Sequence, residues 1–138
     1  MNPPTIAWSN KFLIGIERID FEHQIFANLI NTLAEKIAAD ADRLSLMRTV
    51  REITKYAEFH FVSEENIMLE CKYPGLKRHA EIHEELLHTL TVKVMSLCAE
   101  EITPADLVEF LVNWFVAHTT HEDLRISTYC RESGVTLA

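Results

Sequence analysis

Six histidine and carboxylate residues interrupt stripes that would otherwise be apolar: His23, His60, Glu64, His79, His83 and His118. Burying one such group without a partner costs roughly 1–3 kcal/mol. A single histidine on an apolar face is usually an ordinary core residue that makes a hydrogen bond. Here five of the seven histidines occupy such positions, in four separate segments. Imidazoles and carboxylates that converge inside a helical bundle bind metal, so the pattern predicts a buried metal centre.

The spacing within two segments supports this interpretation. His60 and Glu64 are four residues apart, and so are His79 and His83. On an α-helix, residues four apart project from one face, one turn above each other. Each pair therefore predicts two ligands that point into the same interior space.

The last segment departs from regular helical spacing. His118 and Asp123 are five residues apart, which is roughly 140° out of phase on a regular α-helix. Counting one inserted residue between them restores an inner stripe of Asp123, Ile126 and Cys130. The sequence therefore predicts a π-bulge that returns Asp123 to the core, and such bulges often mark functional sites.

The predicted ligand set indicates both the metal and the number of ions. Five imidazoles and two carboxylates without a cysteine disfavour structural zinc and suit iron, copper or manganese. Seven ligands exceed the needs of one ion, but two carboxylates can bridge a pair. Two octahedral irons offer about twelve positions, and these ligands with a bridging oxide or hydroxide fill about eleven. The predicted cofactor is two iron ions per chain in an oxo- or hydroxo-bridged centre, with about one position open to a small diatomic ligand.

Four amphipathic helices are predicted to position these residues. Apolar residues recur at alternating spacings of three and four, as on one face of a helix. The helices are predicted at about 19–38, 43–70, 76–99 and 104–130, after an extended N-terminal arm at 1–18. Thr103 and Pro104 are expected to cap and open the fourth helix. Short connections predict one all-α domain over residues 1–138, folded as an up-down-up-down antiparallel four-helix bundle.

Composition disfavours two classes of partner. The chain of 138 residues has 13 Lys plus Arg against 21 Asp plus Glu, a net charge of −8, which disfavours nucleic acid and anionic membranes. Residues 1–17 lack the pattern of a signal peptide, and the uncharged stretch 110–121 is too short to span a bilayer. The chain has three cysteines, Cys71, Cys98 and Cys130. Because their number is odd, they are expected to be free thiols, as in proteins of a reducing compartment. A cytoplasmic protein is therefore expected.

At this point the residues match a known family: the chain resembles the hemerythrins, in their single-domain bacterial form, over essentially its full length. The matching segments are Trp8, Ile19–His23, His60–Glu65 with Met68, Tyr73–Pro74, His79-x-x-x-His83 and Trp114-Phe115-x-x-His118-x-x-x-x-Asp123. Each segment alone is a weak signal, but together, in order and at this spacing, they are highly specific.

The resemblance implies a role for each candidate ligand. One iron would be held by His79, His83 and His118, and the other by His23 and His60. Glu64 and Asp123 would bridge them, and the two-histidine iron would carry the open position for dioxygen. Family membership also implies reversible binding, in which the diferrous form takes up dioxygen as a hydroperoxide on the diferric form.

Residues around the fourth-helix histidine are candidates for the dioxygen pocket. These are Trp114, Phe115 and Thr119, although ordinary core packing is compatible with the position of Trp114. The family usually has a bulky aliphatic residue directly after this histidine, where it helps to line the pocket, whereas this chain has Thr119. A smaller and partly polar wall bears on the lifetime of the oxygenated form.

Other polar residues are expected outside the ligand set. His88 falls off its stripe and is expected to face solvent, and the predicted bulge should turn His121 aside. Glu65 directly follows Glu64 and should point elsewhere, either to support a ligand or as a surface charge.

The leading hypothesis is a dioxygen carrier, store or sensor that is not an enzyme. One alternative is a di-iron redox enzyme that acts on peroxide, nitric oxide or dioxygen. Its ferritin-like version needs Glu-x-x-His on two helices, and only Glu85-x-x-His88 is present. A second alternative is an iron- or oxygen-responsive signalling module that docks to another protein, whose identity the sequence does not indicate.

Overall fold

A computed structural model describes residues 2–134 as helices joined by short turns. The helices are α1 (Glu17–Ala38), α2 (Arg43–Glu70), α3 (Leu76–Cys98), α4 (Pro104–His118) and α5 (Leu124–Ser133). A π-helical segment, Thr119–Asp123, joins α4 to α5, and a 3-10 turn, Asn10–Phe12, precedes α1. The described residues contain no strand. This architecture confirms the predicted all-α four-helix bundle, with α4, the π segment and α5 forming the fourth rod.

The helix bounds differ from the expected ones by a few residues. The first helix begins at Glu17 rather than residue 19, and the third ends at Cys98 rather than residue 99. The fourth rod extends to Ser133 instead of residue 130. Met1 and residues 135–138 of the predicted domain lie outside the described part of the chain. Between residues 2 and 134, no helix is long and apolar enough to cross a bilayer.

Side-chain caps begin α2 and α4. Asp42 accepts a hydrogen bond from the backbone N–H of Ser45 at 2.8 Å. The predicted cap of α4 is confirmed as a capping box, because Thr103 accepts from the N–H of Asp106 while the Asp106 carboxylate accepts from the N–H of Thr103. Such caps satisfy donors that a helix leaves unpaired and stabilise it by about 1 kcal/mol.

The ends of α1, α2 and α3 share one geometry. Each is followed by a non-glycine residue in the left-handed region: Asp40 at φ 56°, Lys72 at φ 55° and Glu100 at φ 61°. The next backbone N–H folds back onto the helix, as when Ala41 donates to the carbonyl of Lys36 at 2.9 Å. These left-handed corners are Schellman motifs. They reverse the chain within a few residues and so place successive helices antiparallel.

Two apolar clusters divide the interior along the bundle axis. The larger one contains residues such as Phe26, Ile30, Ile53, Leu90 and Leu107. The smaller one lies beyond the polar residues on each helix and is formed by Ile14, Ile16, Ile19, Ile67, Met68, Cys71, Ile126 and Cys130. The buried histidines and carboxylates therefore lie between two apolar layers that keep water from both ends.

The prediction of free thiols is wrong for two of the three cysteines. Cys71 and Cys130 form a disulfide with their Cα atoms 5.5 Å apart, and both are buried in the smaller cluster. Cys98 is free and exposed. An odd cysteine count does not reveal a pair separated by 59 residues, because only the packing of α5 against the end of α2 brings the two together.

Candidate metal centre

All seven residues predicted as metal ligands converge between the two apolar clusters. Each is at most 5% exposed: His23, His60, Glu64, His79, His83, His118 and Asp123. Their potential ligand atoms form two groups, each within 4.8 Å. One group contains His79, His83 and His118, and the other contains His23 and His60. Glu64 and Asp123 belong to both groups, so the structure contains two adjacent clusters that could each hold a metal ion and that share two carboxylates.

The two oxygens of Glu64 face different histidines. Its Oε1 lies 2.5 Å from Nε2 of His79 and 3.2 Å from Nε2 of His83. Its Oε2 lies 3.3 Å from Nε2 of His60 and 3.7 Å from Nε2 of His23. The carboxylate therefore offers one oxygen to each cluster, which is what a bridge between two ions requires.

Asp123 repeats this division from the opposite rod. Its Oδ1 lies 3.0 Å from Nε2 of His118 and 3.2 Å from Nε2 of His79. Its Oδ2 lies 3.0 Å from Nε2 of His23. Two carboxylates from different helices thus separate the same two sets of imidazoles.

The π segment brings Asp123 into this position. Thr119–Asp123 is π-helical and Asp123 is buried, which confirms the predicted bulge. His121, in the middle of the segment, is exposed as expected. Because the wider turn absorbs one extra residue, His118 and Asp123 reach the same interior space despite their five-residue spacing.

The buried polar atoms fit metal ions. Several have no hydrogen-bond partner among residues 2–134: both ring nitrogens of His23, Nε2 of His83 and His118, Oε2 of Glu64 and both oxygens of Asp123. Atoms of this kind, left unsatisfied, carry a large desolvation penalty. Two cations among them would supply the missing partners, and imidazole with carboxylate is a donor set that iron accepts.

Electrostatics couple the histidines to the shared carboxylates. Burial works to lower the pKa of His23, but the adjacent Asp123 and Glu64 carboxylates outweigh it and raise that pKa to about 10. The same balance raises the pKa of His79 to about 9. Burial acts to raise the pKa of Glu64, yet the surrounding imidazoles hold it well below its usual value. Without metal, the centre therefore holds protons that metal binding must displace.

Aromatic rings enclose the centre. Trp114 stacks on His118 with ring centroids 4.7 Å apart, and Phe61 stacks on His83 at 3.9 Å. The third pocket candidate named from the sequence, Thr119, is 1% exposed. Phe115 meets the ring of His23 edge-on at 5.8 Å. These packed rings leave the imidazoles little freedom to turn.

Two further carboxylates contact candidate ligand histidines, and the sequence did not single out the first of them. Glu22 is buried and approaches Nδ1 of His60 at 2.7 Å, and it accepts a hydrogen bond from Ser63 at 2.8 Å. Glu22 lies three residues after Ile19 on the inner side of α1, but a carboxylate four residues after Arg18 is equally typical of a surface ion pair. Glu65, whose direction the sequence left open, lies 2.9 Å from Nδ1 of His83. His88 is exposed, as expected.

Comparison with known proteins gives one consistent family. The family described as the hemerythrin HHE cation binding domain matches residues 14–130. A myohemerythrin of Riftia pachyptila is 30% identical over 125 residues, which is 89% of this chain and 92% of that protein. A bacteriohemerythrin of Clostridium acetobutylicum is 28% identical over 84% of this chain and 94% of its own. A bacteriohemerythrin of Ralstonia nicotianae is 26% identical over 132 residues, which is 95% of this chain and 93% of that protein.

Proposed function

The chain belongs to the hemerythrin family, and on that premise we propose that it binds dioxygen reversibly at a di-iron centre. The ligands would be the seven converging residues, with Glu64 and Asp123 as the bridges. One observation carries this proposal: the two clusters of potential ligand atoms share both carboxylates and no histidine. A mononuclear site would not need two such clusters side by side.

The chemistry of dioxygen binding depends on the iron, and the chain controls its surroundings. Two iron ions held by the shared carboxylates and the five histidines would supply the pair of electrons that reversible dioxygen binding requires. The cluster with His23 and His60 has fewer protein ligands than the cluster with three histidines, which supports an open position on that side. The apolar layers and the aromatic pocket candidates Trp114 and Phe115 would exclude water and so suppress irreversible oxidation, whereas Thr119 adds a hydroxyl to the same wall.

Hemerythrins are oxygen carriers, and we propose that this chain is a carrier, store or sensor rather than an enzyme. The exposed position of His88 supports this, because the single Glu85-x-x-His88 sequence then contributes nothing to a ferritin-like site. The net charge of −8 supports the absence of a nucleic-acid partner. The alternative is a signalling role, in which the chain docks to another protein, and functional assays must distinguish it from oxygen carriage and storage.

A cytoplasmic location stays a prediction. The exposed thiol of Cys98 supports it, whereas a disulfide such as Cys71–Cys130 is the kind of bond that oxidising compartments maintain. Fractionation of cells followed by thiol labelling separates the two. Recovery of the native protein from the periplasm or medium would contradict the prediction.

The deciding experiment is an anaerobic titration. Purified protein should contain close to two irons per chain by elemental analysis. The reduced protein should take up one dioxygen per chain, with a new visible absorption band, and return to its starting spectrum when dioxygen is removed. One zinc and no iron would contradict the di-iron proposal, and steady consumption of dioxygen without recovery would favour the enzyme.

The proposed ligands are tested by a matched pair of substitutions. Glu64→Ala removes a bridge and should release iron from both positions, whereas His88→Ala changes an exposed side chain and should retain it. The measurement is iron per chain after dialysis, with circular dichroism to verify folding. Equal iron retention in the two variants would contradict the assigned roles.

A further inference from the structure

Glu22 is a buried carboxylate beside the centre that contributes no atom to either ligand cluster. Its Oε1 lies 2.7 Å from Nδ1 of His60. Its Oε2 accepts from the hydroxyl of Ser63 at 2.8 Å and from Nε of Arg18 at 3.2 Å. Both oxygens are thus occupied, and neither points at the metal-binding atoms.

This contact determines which ring nitrogen of His60 is available to bind a metal ion. When Nδ1 donates its proton to Glu22, Nε2 is directed inward, where it lies 3.3 Å from the shared Glu64. A carboxylate behind an imidazole fixes the ring orientation and makes the opposite nitrogen a better ligand. Nδ1 of His23, in the same cluster, has no hydrogen-bond partner in the described part of the chain. Of the two histidines in this cluster, His60 is therefore the one whose ring is held by a neighbouring carboxylate.

The position of Glu22 is itself fixed by a neighbouring helix. The Tyr56 hydroxyl on α2 donates to the backbone carbonyl of Glu22 at 3.1 Å. Ser63, also on α2, donates its hydroxyl to the Glu22 carboxylate. Glu22 therefore joins α1 to α2 at three points of one short stretch, which is what a support for a ligand needs.

Glu22 also separates His60 from water. A surface groove of about 320 Å³ is lined by Glu17, Arg18, Phe21 and Glu22. The side chain of Arg18 is 48% exposed, while that of Glu22 is 9% exposed. The carboxylate thus stands between the groove and the buried ring, and a smaller residue there would open a path for solvent.

The corresponding contact on the other cluster is less enclosed. Glu65 approaches Nδ1 of His83 at 2.9 Å, but its side chain is 32% exposed. No second side chain within residues 2–134 donates to it. Glu22 therefore supports His60 more firmly than Glu65 supports His83.

We propose that Glu22 is a positioning residue for the two-histidine half of the centre: it fixes His60 with Nε2 toward the metal and slows metal loss from that half. The inference rests on the proposed di-iron function. It adds a residue outside the ligand set whose removal should weaken iron retention without removing a ligand.

The first test measures iron loss from the reduced protein to a ferrous chelator. Outer-layer partners of ligand histidines typically contribute 10–100-fold to metal affinity, so Glu22→Ala should lose iron about 10–100-fold faster than wild type. Glu22→Gln keeps one oxygen acceptor for His60 and should lie between the two. Glu58→Gln, an exposed carboxylate on α2, is the matched control and should match wild type. Loss at the wild-type rate in Glu22→Ala would overturn the proposal.

The second test reads the imidazole directly by NMR of the metal-free protein. The Nδ1–H proton of His60 should exchange slowly with water in wild type and in Glu58→Gln, and rapidly in Glu22→Ala. A purely structural role would lower the melting temperature without this change, which would also overturn the proposal. If Glu22→Ala fails to fold, Glu22→Gln decides both measurements. If wild type binds no iron, the di-iron proposal fails, and the NMR result alone decides the role of Glu22.

Discussion

At the scale of single residues, Thr119 is the position where the resemblance to the hemerythrins implies a bulky aliphatic residue and this chain has a hydroxyl. It directly follows the proposed ligand His118 and is 1% exposed. A hydroxyl at this place lowers the apolar character of the wall and leaves room for water. Water and protons at this wall would help dioxygen to leave as peroxide with two electrons, one from each iron, and the centre would then be oxidised and inactive. A dry wall suppresses that side reaction.

Thr119→Ile should therefore slow the loss of reversible dioxygen uptake in air. The added aliphatic surface excludes the water that the hydroxyl admits. The measurement is the fraction of protein that still releases dioxygen after timed exposure to air, with Thr120→Val, a neighbour whose hydroxyl bonds to the carbonyl of Val116, as control. An unchanged rate would refute the water-access explanation. Faster loss would instead indicate that the hydroxyl holds the ligand by a hydrogen bond worth roughly 0.5–1.5 kcal/mol.

Sequence reasoning reaches ligands more readily than it reaches the residues that support them. His60 is visible because an imidazole replaces leucine at a fixed helical spacing. Glu22 is not, because a carboxylate beside Arg18 on a helix usually forms a surface ion pair. Only the packing of α1 against α2 makes it a partner of His60. Supporting residues depend on the distance between helices, which spacing along one helix does not contain.

At the scale of elements, the π segment is the feature that completes the ligand set. A spacing of five in a π turn and a spacing of four in an α turn place two residues on nearly the same face. The bulge therefore acts as a one-residue insertion that preserves the phase of everything after it. Its presence was predictable, since Asp123, Ile126 and Cys130 continue the inner stripe only when one residue is discounted.

This equivalence makes a paired prediction. Deleting exposed His121 should convert the segment to regular α-helix, leave Asp123 facing inward and retain two irons per chain. Inserting one alanine after His121 should rotate Asp123 by about 100° and abolish the second bridge. The measurements are iron per chain and helical circular dichroism for both variants. Loss of iron on deletion, or its retention on insertion, would show that the bulge does not set the phase.

At the scale of the whole molecule, the metal-free protein should be less stable than the iron-loaded one and should depend on pH. The pKa of His23 is raised to about 10 and that of His79 to about 9, from 6.5. Because the folded state binds these protons more tightly than the unfolded state, they contribute their full stabilisation below pH 6.5. That contribution is lost as pH rises through the raised pKa values. The melting temperature of the metal-free protein should therefore fall between pH 6.5 and about 10.

The iron-loaded protein is the control for this prediction. Its imidazole nitrogens are occupied by metal, so its melting temperature should change little over the same range. Calorimetry of both forms at matched ionic strength provides the comparison. Parallel curves for the two forms would mean that the buried histidines are not the groups responsible.

The disulfide makes a second contribution at this scale. It joins the end of α2 to α5 across 59 residues, and a crosslink over a loop of this length stabilises by roughly 2–4 kcal/mol. Cys71→Ser with Cys130→Ser should lower the free energy of unfolding by about that amount. Cys98→Ser, at an exposed free thiol, should leave it unchanged. Denaturant unfolding of both variants is the measurement, and an unchanged value in the double variant would contradict this role.

Sequence reasoning captured the bundle and missed this bond for related reasons. Helices α1 to α3 follow from periodicity, which is a local property of each segment. The distance between Cys71 and Cys130 depends on how α5 packs against the end of α2 after the π segment, so it is a property of the assembled bundle. The same distinction separates the ligand pairs within one helix from contacts such as Glu22 with His60.

The left-handed corners after α1, α2 and α3 leave the molecule room to evolve. Asp40, Lys72 and Glu100 each hold a conformation that glycine adopts freely, at a cost of roughly 1 kcal/mol for a residue with a side chain. All three are exposed and outside the ligand clusters. Glycine at these corners would release that strain, and its greater freedom in the unfolded chain would offset only part of the gain. A lineage, or an engineer, could thus raise stability at the corners first and then accept costly changes around the metal centre, such as a new pocket wall.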